Sequence, residues 1–398
     1  MRLAALAAAL AGVFLMGAAA PDDDPYTWME EIEGARALDW AKAENERSLP
    51  QLQNDPRYAG LYADALKIAT AKDRIPSVSF AGDGSFRGFW QDAEHVRGIW
   101  RTTTVESYRA GNPDWKTILD IDALAKAEGA NWVFSGTTCL APDDRYCLVR
   151  LSNGGKDAVE VREFDTATGQ FVDGGFRLSE GRHSVDWIDH DTLLVATDWT
   201  RGLLTTSGYP YVVKLLRRGE PLAAAREVYR GEPQDVGVFP RVLRDPDGST
   251  QAVLFSRALD IFNYEYRLLT PSGSVKLDLP MRSTVKGYVA GRLLVSLEQD
   301  WKAQGLKEGD LVDFNMAAVK RKPDALNPTL VLRPAVNQAI EQVVTTRDRL
   351  TVVMLQDVKG QVLSYQRKAG RGAAAARAGP DISPSACGCA ADRVDLLV

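Results

Sequence analysis

Residues 24–71 read DPYTWMEEIEGARALDWAKAENERSLPQLQNDPRYAGLYADALKIATA, a helical stretch in a chain whose remainder has the texture of strands. Thr27 and Glu30 have the spacing of a capping box, in which the threonine oxygen takes the N3 amide and the glutamate reaches back, and Gly34 is placed to stop that short helix. A second helix is predicted from about Ala35 to Glu46, with Leu38, Trp40 and Ala41 toward one side. Asp55, followed by Pro56, marks the start of a third. Its Tyr58, Leu61, Tyr62, Ala65, Leu66 and Ala69 fall on one stripe at helical spacing. A helical arm with such a stripe needs another surface to bury it.

From Pro76 the chain changes to short alternating apolar and polar runs broken by Gly, Asp and Pro turns, the signature of strands and hairpins. The runs group into units of about fifty residues, a period at which propeller blades repeat. The first unit holds Val78 to Phe80, Phe86 to Gln91, Gly98 to Thr103 and Thr117 to Asp120, and Ile121 to Gly129 connects it to the next. The second holds Trp132 to Ser135, Tyr146 to Leu151, Val159 to Asp165 and Phe171 to Phe176. The third has Val185 to Ile188, Thr192 to Thr197, Tyr211 to Arg217 and Glu227 to Tyr229; the fourth has Val238 to Leu243, Gln251 to Ser256, Tyr264 to Leu269 and Val275 to Asp278. The fifth has Thr284 to Val289, Arg292 to Leu297, Asp313 to Lys320 and Thr329 to Leu332. The sixth shows Ile340 to Thr346, Leu350 to Gln356 and Gln361 to Gln366, and then the pattern stops. The fold class expected is mainly β, a β-propeller preceded by a short helical arm. A stack of sandwiches is the rival, and a propeller uses so many short antiparallel strands with fewer exposed edges.

Two blocks of wording carry a resemblance. DPYTWMEE, then Trp40, the ENERS run and Asp73-Arg74-Ile75-Pro76 resemble the N-terminal segment of the prolyl oligopeptidase family of serine peptidases. Gly208-Tyr209-Pro210, Val213-Lys214, Arg218-Gly219-Glu220-Pro221-Leu222 and Asp235-Val236 are similar to a second stretch of that family, in the same order. The likeness departs at Tyr211, where arginine is usual, and at Leu216, where an aromatic is. It spans residues 24 to about 369. The resemblance implies a seven-bladed propeller, here incomplete, that caps an active site and admits short peptides. It also implies an α/β-hydrolase domain carrying the Ser, Asp and His of the reaction beyond this chain. The partition expected is a signal peptide over 1–19, the helical arm over 20–75, the propeller over 76–369 with its last blades incomplete, and a distinct tail over 370–398.

Lys and Arg number 48 against 53 Asp and Glu, a net charge of -5 that offers no electrostatic support for a nucleic-acid partner. Arg2, the apolar run Leu3 to Met16 and the small residues Gly17 to Ala20 have the form of a secretory signal, with cleavage favoured after Ala19 because Pro21 disfavours the next bond. The alternative is an uncleaved anchor, for which the run is short. Export to the periplasm or beyond is the expectation, with no stable membrane span after cleavage. Cys139 and Cys147 flank a hairpin with its turn at Pro142 to Asp144, so they are either a disulfide across neighbouring strands or two buried thiols. Cys387 and Cys389 are poorly placed to bond to each other. The tail that holds them, with its alanine run Ala373 to Ala376, differs in composition from all that precedes it. It reads either as a frame change in GC-rich coding sequence or as a natural low-complexity end.

No G-x-S-x-G elbow occurs, and none of the three histidines makes a credible base for a serine nucleophile. Asp189-His190-Asp191 is most simply a hairpin turn. A metal reading of His183 and His190 with Asp186 and Asp189 is the weaker alternative, and His95 belongs to a strand or turn of the first unit. Trp90, Trp100, Trp115, Trp187, Trp199, Tyr264 and Tyr266 sit at strand positions, which favours core packing over a stacking surface. No catalytic residue, metal ligand or cofactor is assigned, and no peptide-contacting residue is named. The function implied is the propeller portion of an exported serine peptidase acting on short peptides, inactive by itself. The alternative is a non-catalytic propeller that binds peptide or protein.

Overall fold

The computed structural model describes residues 24–31, 34–200, 202–346, 349–368, 371–375, 385–386 and 396–397, and it divides the chain into two units, Met1–Ala71 and Lys72–Val398. The signal segment and the cysteines Cys387 and Cys389 lie outside the described residues.

The first unit is helical. A 3-10 turn, Thr27–Glu30, precedes α1 (Ala35–Gln53) and α2 (Tyr58–Ala69). The capping box is not formed: Thr27 is inside the turn, and the Asp24 carboxylate instead accepts the Tyr26 amide at 2.8 Å. Gly34 does not end that turn either, since with φ −65° and ψ 126° it is the extended residue from which α1 starts. α1 also runs past Glu46 and through Pro50, whose ring φ suits a helix and whose missing N–H removes a single bond. Asp55 accepts the Arg57 amide at 2.9 Å in the turn before α2, and Arg57 is the cap position. The stripe on α2 is present and uncovered, with its Leu61, Tyr62 and Leu66 exposed, and Ile68 beside it is exposed as well.

Among the described residues the second unit is a series of antiparallel sheets, five of them four-stranded meanders and one of five strands. The first comprises β1 (Ser79–Phe80), β2 (Phe86–Trp90), β3 (Ile99–Thr103) and β4 (Lys116–Asp120). A short helix, α3 (Val105–Arg109), sits between β3 and β4, and α4 (Ile121–Glu128) leads onward. The second sheet has β5 (Trp132–Cys139), β6 (Tyr146–Asn153), β7 (Val159–Asp165), β8 (Gln170–Phe171) and β9 (Arg177–Gly181). The third is β10 (Ser184–Asp189), β11 (Thr192–Ala196), β12 (Val212–Arg217) and β13 (Arg226–Arg230). The fourth is β14 (Gly237–Arg244), β15 (Thr250–Ala258), β16 (Tyr264–Thr270) and β17 (Gly273–Lys276). The fifth is β18 (Ser283–Val289), β19 (Arg292–Leu297), β20 (Leu311–Asn315) and β21 (Thr329–Leu332), with α5 (Met316–Arg321) between its last two strands. The sixth is β22 (Gln338–Thr345), β23 (Arg349–Gln356), β24 (Lys359–Lys368) and β25 (Arg371–Ala375).

The sheets are propeller blades. The first strand of each, from the second sheet on, lies beside the first strand of the next: β5 by β10, β10 by β14, β14 by β18 and β18 by β22. The apolar core is accordingly divided into layers between consecutive sheets. Trp100, Ile121, Val149 and Phe164 fill the layer between blades 1 and 2, and Leu148, Trp187, Leu193 and Val195 that between 2 and 3. Val213, Phe255, Leu254, Val295, Leu294 and Val352 belong to the layers that follow. Six such sheets are present among the described residues, against the seven that the resemblance implied.

Three strand readings change, while the connection Ile121 to Gly129 holds as one. The fourth strand of blade 2 is not Phe171 to Phe176. β8 and β9 share the outer edge of β7, β8 pairing Phe164 and Asp165 and β9 pairing Val159 to Arg162. Asp313 to Lys320 is not one strand: the Asn315 side chain accepts the Ala318 amide at 3.0 Å and starts α5. The connection Ile121 to Gly129 is a capped helix, with the Asp120 carboxylate on the Ala123 amide at 2.9 Å and Gly129 left-handed at φ 63°. The sixth sheet does not stop at its third strand, because β25 pairs with β24 from Ser364↔Ala375 to Lys368↔Arg371. No described helix is long and apolar enough to cross a membrane.

Candidate functional site

The Gly208-Tyr209-Pro210 block forms one wall of a cavity of about 420 Å³ between the second, third and fourth blades. Ser135 of β5, Ser184 of β10 and Phe239 of β14 come from three consecutive innermost strands, and Arg150, Arg182, His183 and Tyr209 complete the chemically distinctive lining. The loop that carries Tyr209 is tied at both ends. Thr205 Oγ1 donates to the Val236 carbonyl at 3.0 Å and accepts the Tyr209 amide at 3.1 Å, while the Pro210 carbonyl accepts the Val238 amide at 3.0 Å. Gly208 has φ 76°, a conformation that suits glycine, and a Cβ there would stand 3.2 Å from the Arg182 guanidinium.

Arg182 is held as the charged floor of this wall. Its guanidinium lies 4.5 Å from the Tyr209 ring centroid, donates to the carbonyls of Ser207 and Gly208 at 3.2 and 3.3 Å, and reaches the Asp157 carboxylate at 3.2 Å. Tyr209 meets Phe239 edge-on at 6.3 Å. Arg150 donates to the Ser135 carbonyl and to Thr138 Oγ1 at 3.2 and 2.8 Å, and burial pushes its guanidinium below the usual arginine range. Two arginines and Lys156 against Asp157, with two aromatic rings, make a lining able to hold a peptide backbone and an anionic or carbonyl oxygen.

His183 belongs to this cavity, and both of its ring nitrogens are taken by protein groups. Its Nε2 donates to the Ser179 carbonyl at 2.7 Å, which leaves Nδ1 to accept the Thr197 hydroxyl at 2.8 Å. Burial lowers its pKa, so the neutral ring is favoured. His190 lies elsewhere, exposed in the two-residue turn between β10 and β11, with Nδ1 2.8 Å from the Asp191 carboxylate. Asp186 bonds the Val242 amide at 2.8 Å, and His95 sits in the turn after β2 with Nδ1 3.1 Å from Asp92. Among the described residues no group of three or more His, Cys, Asp or Glu is arranged to hold a metal ion. Cys139 and Cys147 are direct cross-strand partners of β5 and β6, with their sulfurs 1.98 Å apart.

The rest of the second block joins blades. Arg218 forms a two-pronged pair with the fully buried Glu163 of β7 at 2.8 and 2.9 Å, and the Glu163 partner raises its pKa. Asp235 takes Arg257 at 2.7 and 3.0 Å and the Glu232 amide at 2.7 Å, and Lys214 stacks on Trp199 at 4.6 Å. Of the aromatics expected in the core, Trp100, Trp187 and Tyr266 are buried, and Trp199 and Tyr264 pack against the clusters. Trp90 and Trp115 are half-buried around a second cavity. The reading from sequence missed Arg150, Arg182 and Phe239, which lie up to about ninety positions apart and share no local motif.

The family model described as the prolyl oligopeptidase N-terminal beta-propeller domain matches residues 18–388. An uncharacterized peptidase of Sinorhizobium fredii is 44% identical over 350 residues, covering 86% of this chain and 48% of that protein. One of Rickettsia prowazekii is 27% identical over 354 residues, covering 85% of this chain and 49% of the relative. The chain thus spans about half the length of the curated relatives it matches. A post-proline cleaving enzyme from Rickettsia typhi superposes with a TM-score of 0.82 at 25% identity, over 89% of this chain and 53% of that one.

Proposed function

The chain belongs to the prolyl oligopeptidase family, and on that premise we propose that it is the propeller portion of a serine peptidase acting on short peptides, with the cavity at Tyr209 contacting the peptide. The observation that carries this reading is the match itself: it covers the propeller and about half of each relative, and the sequence contains no nucleophile elbow. The cavity supports it, because the carbonyls of an extended peptide would find donors in Arg150 and Arg182, and its side chains would find aromatic faces in Tyr209 and Phe239. In this reading Ser, His and Asp come from a hydrolase portion. Export is part of the proposal, on the charge, apolar run and small residues of positions 1–20.

The test is hydrolysis of a chromogenic proline peptide by the purified chain, alone and mixed with the separately produced hydrolase portion of the Sinorhizobium relative. No turnover alone and turnover on mixing are expected. Turnover by the chain alone would overturn the reading. Saturable peptide binding, with no turnover in either arm, would favour a non-catalytic binding propeller. For export, N-terminal sequencing of the chain recovered from a secreting host is expected to begin at Ala20.

A further inference from the structure

Arg101 lies on the face of blade 1 turned away from blade 2. Strand register puts Gly88 opposite it on β2 and Thr117 opposite it on β4. Gly88, Trp90 and Arg101 therefore share one face, while Phe89 and Trp100 occupy the other and pack against blade 2. Gly88 places no side chain beside the guanidinium, and a Cβ there would come within 2.5 Å of the Ser77 carbonyl oxygen. The result is a cation between two indoles, 4.4 Å from the Trp90 ring centroid and 4.0 Å from that of Trp115. The residue is 8% exposed, and its side chain has no hydrogen-bond or ion-pair partner among the described residues.

The guanidinium opens into a cavity of about 560 Å³ lined by Trp90, Trp115, Tyr108, Arg74 and Asp92 among others. Asp92 is close enough to act on Arg101 through space, but its oxygens are already taken by the amides of His95 and Glu94 and the Trp90 indole. Arg74 stacks on the outer side of Trp90 at 4.6 Å and donates to the Gln91 carbonyl. Lys72 is paired with Glu94 at 2.8 Å. Burial pushes the Arg101 pKa down to about 10, the mark of a cation short of compensation.

Elsewhere in the molecule two half-buried arginines take a carboxylate of the blade before their own. Arg218 of blade 3 takes Glu163 of blade 2, and Arg244 of blade 4 lies 3.4 Å from Asp186 of blade 3. The face of blade 1 turned away from blade 2 carries three cations around the cavity, and while Lys72 is paired with Glu94 and Arg74 donates to the Gln91 carbonyl, Arg101 is the buried one of the three. We propose that the cavity is a carboxylate-binding site that takes an aspartate or glutamate side chain from a polypeptide segment laid against this face. The guanidinium fork meets the carboxylate and the two indoles flank it. The site is independent of the cavity at Tyr209.

Titration of the full chain with acetyl-Ala-Glu-Ala-amide and acetyl-Ala-Gln-Ala-amide tests it, read by tryptophan fluorescence and by melting temperature. The glutamate peptide is expected to give a saturable change and a rise in melting temperature, with binding about tenfold or more tighter than the glutamine peptide. Arg101→Met is expected to abolish the difference, and circular dichroism checks that the variant folds. If it does not fold, the two peptides on the unaltered chain still decide. Equal responses to both peptides, or a saturable response to neither, would overturn the proposal. Sodium acetate competing as well as the glutamate peptide would overturn the requirement for a polypeptide.

Discussion

Arg218 and Glu163 show how much a single pair can carry. Glu163 is fully buried on β7 and also accepts the Phe176 amide at 2.8 Å, so removing its arginine strands a charge in the layer between blades 2 and 3. Arg218→Ala is expected to cost about 3–5 kcal/mol in urea denaturation, because an unpaired buried carboxylate is left behind. Arg218→Lys, which keeps charge but loses the fork, should cost less. A loss below about 1 kcal/mol for the alanine variant would mean the layer relaxes around Glu163. His183 makes a pH prediction. Its folded pKa lies below the unfolded value of about 6.5, so the unfolded chain takes up the proton first as pH falls. Its contribution is complete above about pH 6.5 and shrinks on acidification below it. His183→Gln should therefore lose less melting temperature than the unaltered chain between about pH 7.5 and pH 5, and an unchanged slope would show that the ring does not titrate this way. The arginine was visible in the sequence as part of a family block, but its partner 55 positions earlier was not.

At the level of elements, the alternation of apolar and polar residues was a dependable guide, since side chains in a strand face opposite sides in turn. It failed where a cap intervened. Asp313-Phe314-Asn315-Met316 alternates and carries the reading on to Lys320, yet Asn315 before good helix formers turns the rest into α5 with Met316 and Val319 buried. Asp120 does the same for α4, and Asp120→Ala is expected to destabilise the chain by about 1 kcal/mol in thermal unfolding. The hairpin of β5 and β6 carries a further test. Because Cys139 and Cys147 are direct cross-strand partners, a bridge between them is proposed, worth about 2 kcal/mol for so short a loop. Added reductant should lower the melting temperature of the unaltered chain. A chain with both cysteines changed to serine should not respond, and equal sensitivity of the two would argue against the bridge.

For the molecule as a whole, the arm and the blades make different demands. Leu61, Leu66 and Ile68 are 66%, 49% and 70% exposed, a cluster of a kind that drives association. Light scattering of the isolated chain should show self-association that Leu61→Gln with Leu66→Gln reduces, and a monodisperse unaltered chain would count against an unmet surface. The succession of strands, the helical arm and the family were all legible before any coordinates, because strand alternation, helical stripes and the two blocks of wording are properties of neighbouring residues. The Arg182, Tyr209 and Phe239 cavity and the Arg101 slot were not. Each gathers groups from strands and turns tens of positions apart, and whether a charge meets a partner or a void is settled only when blades stack and registers lock.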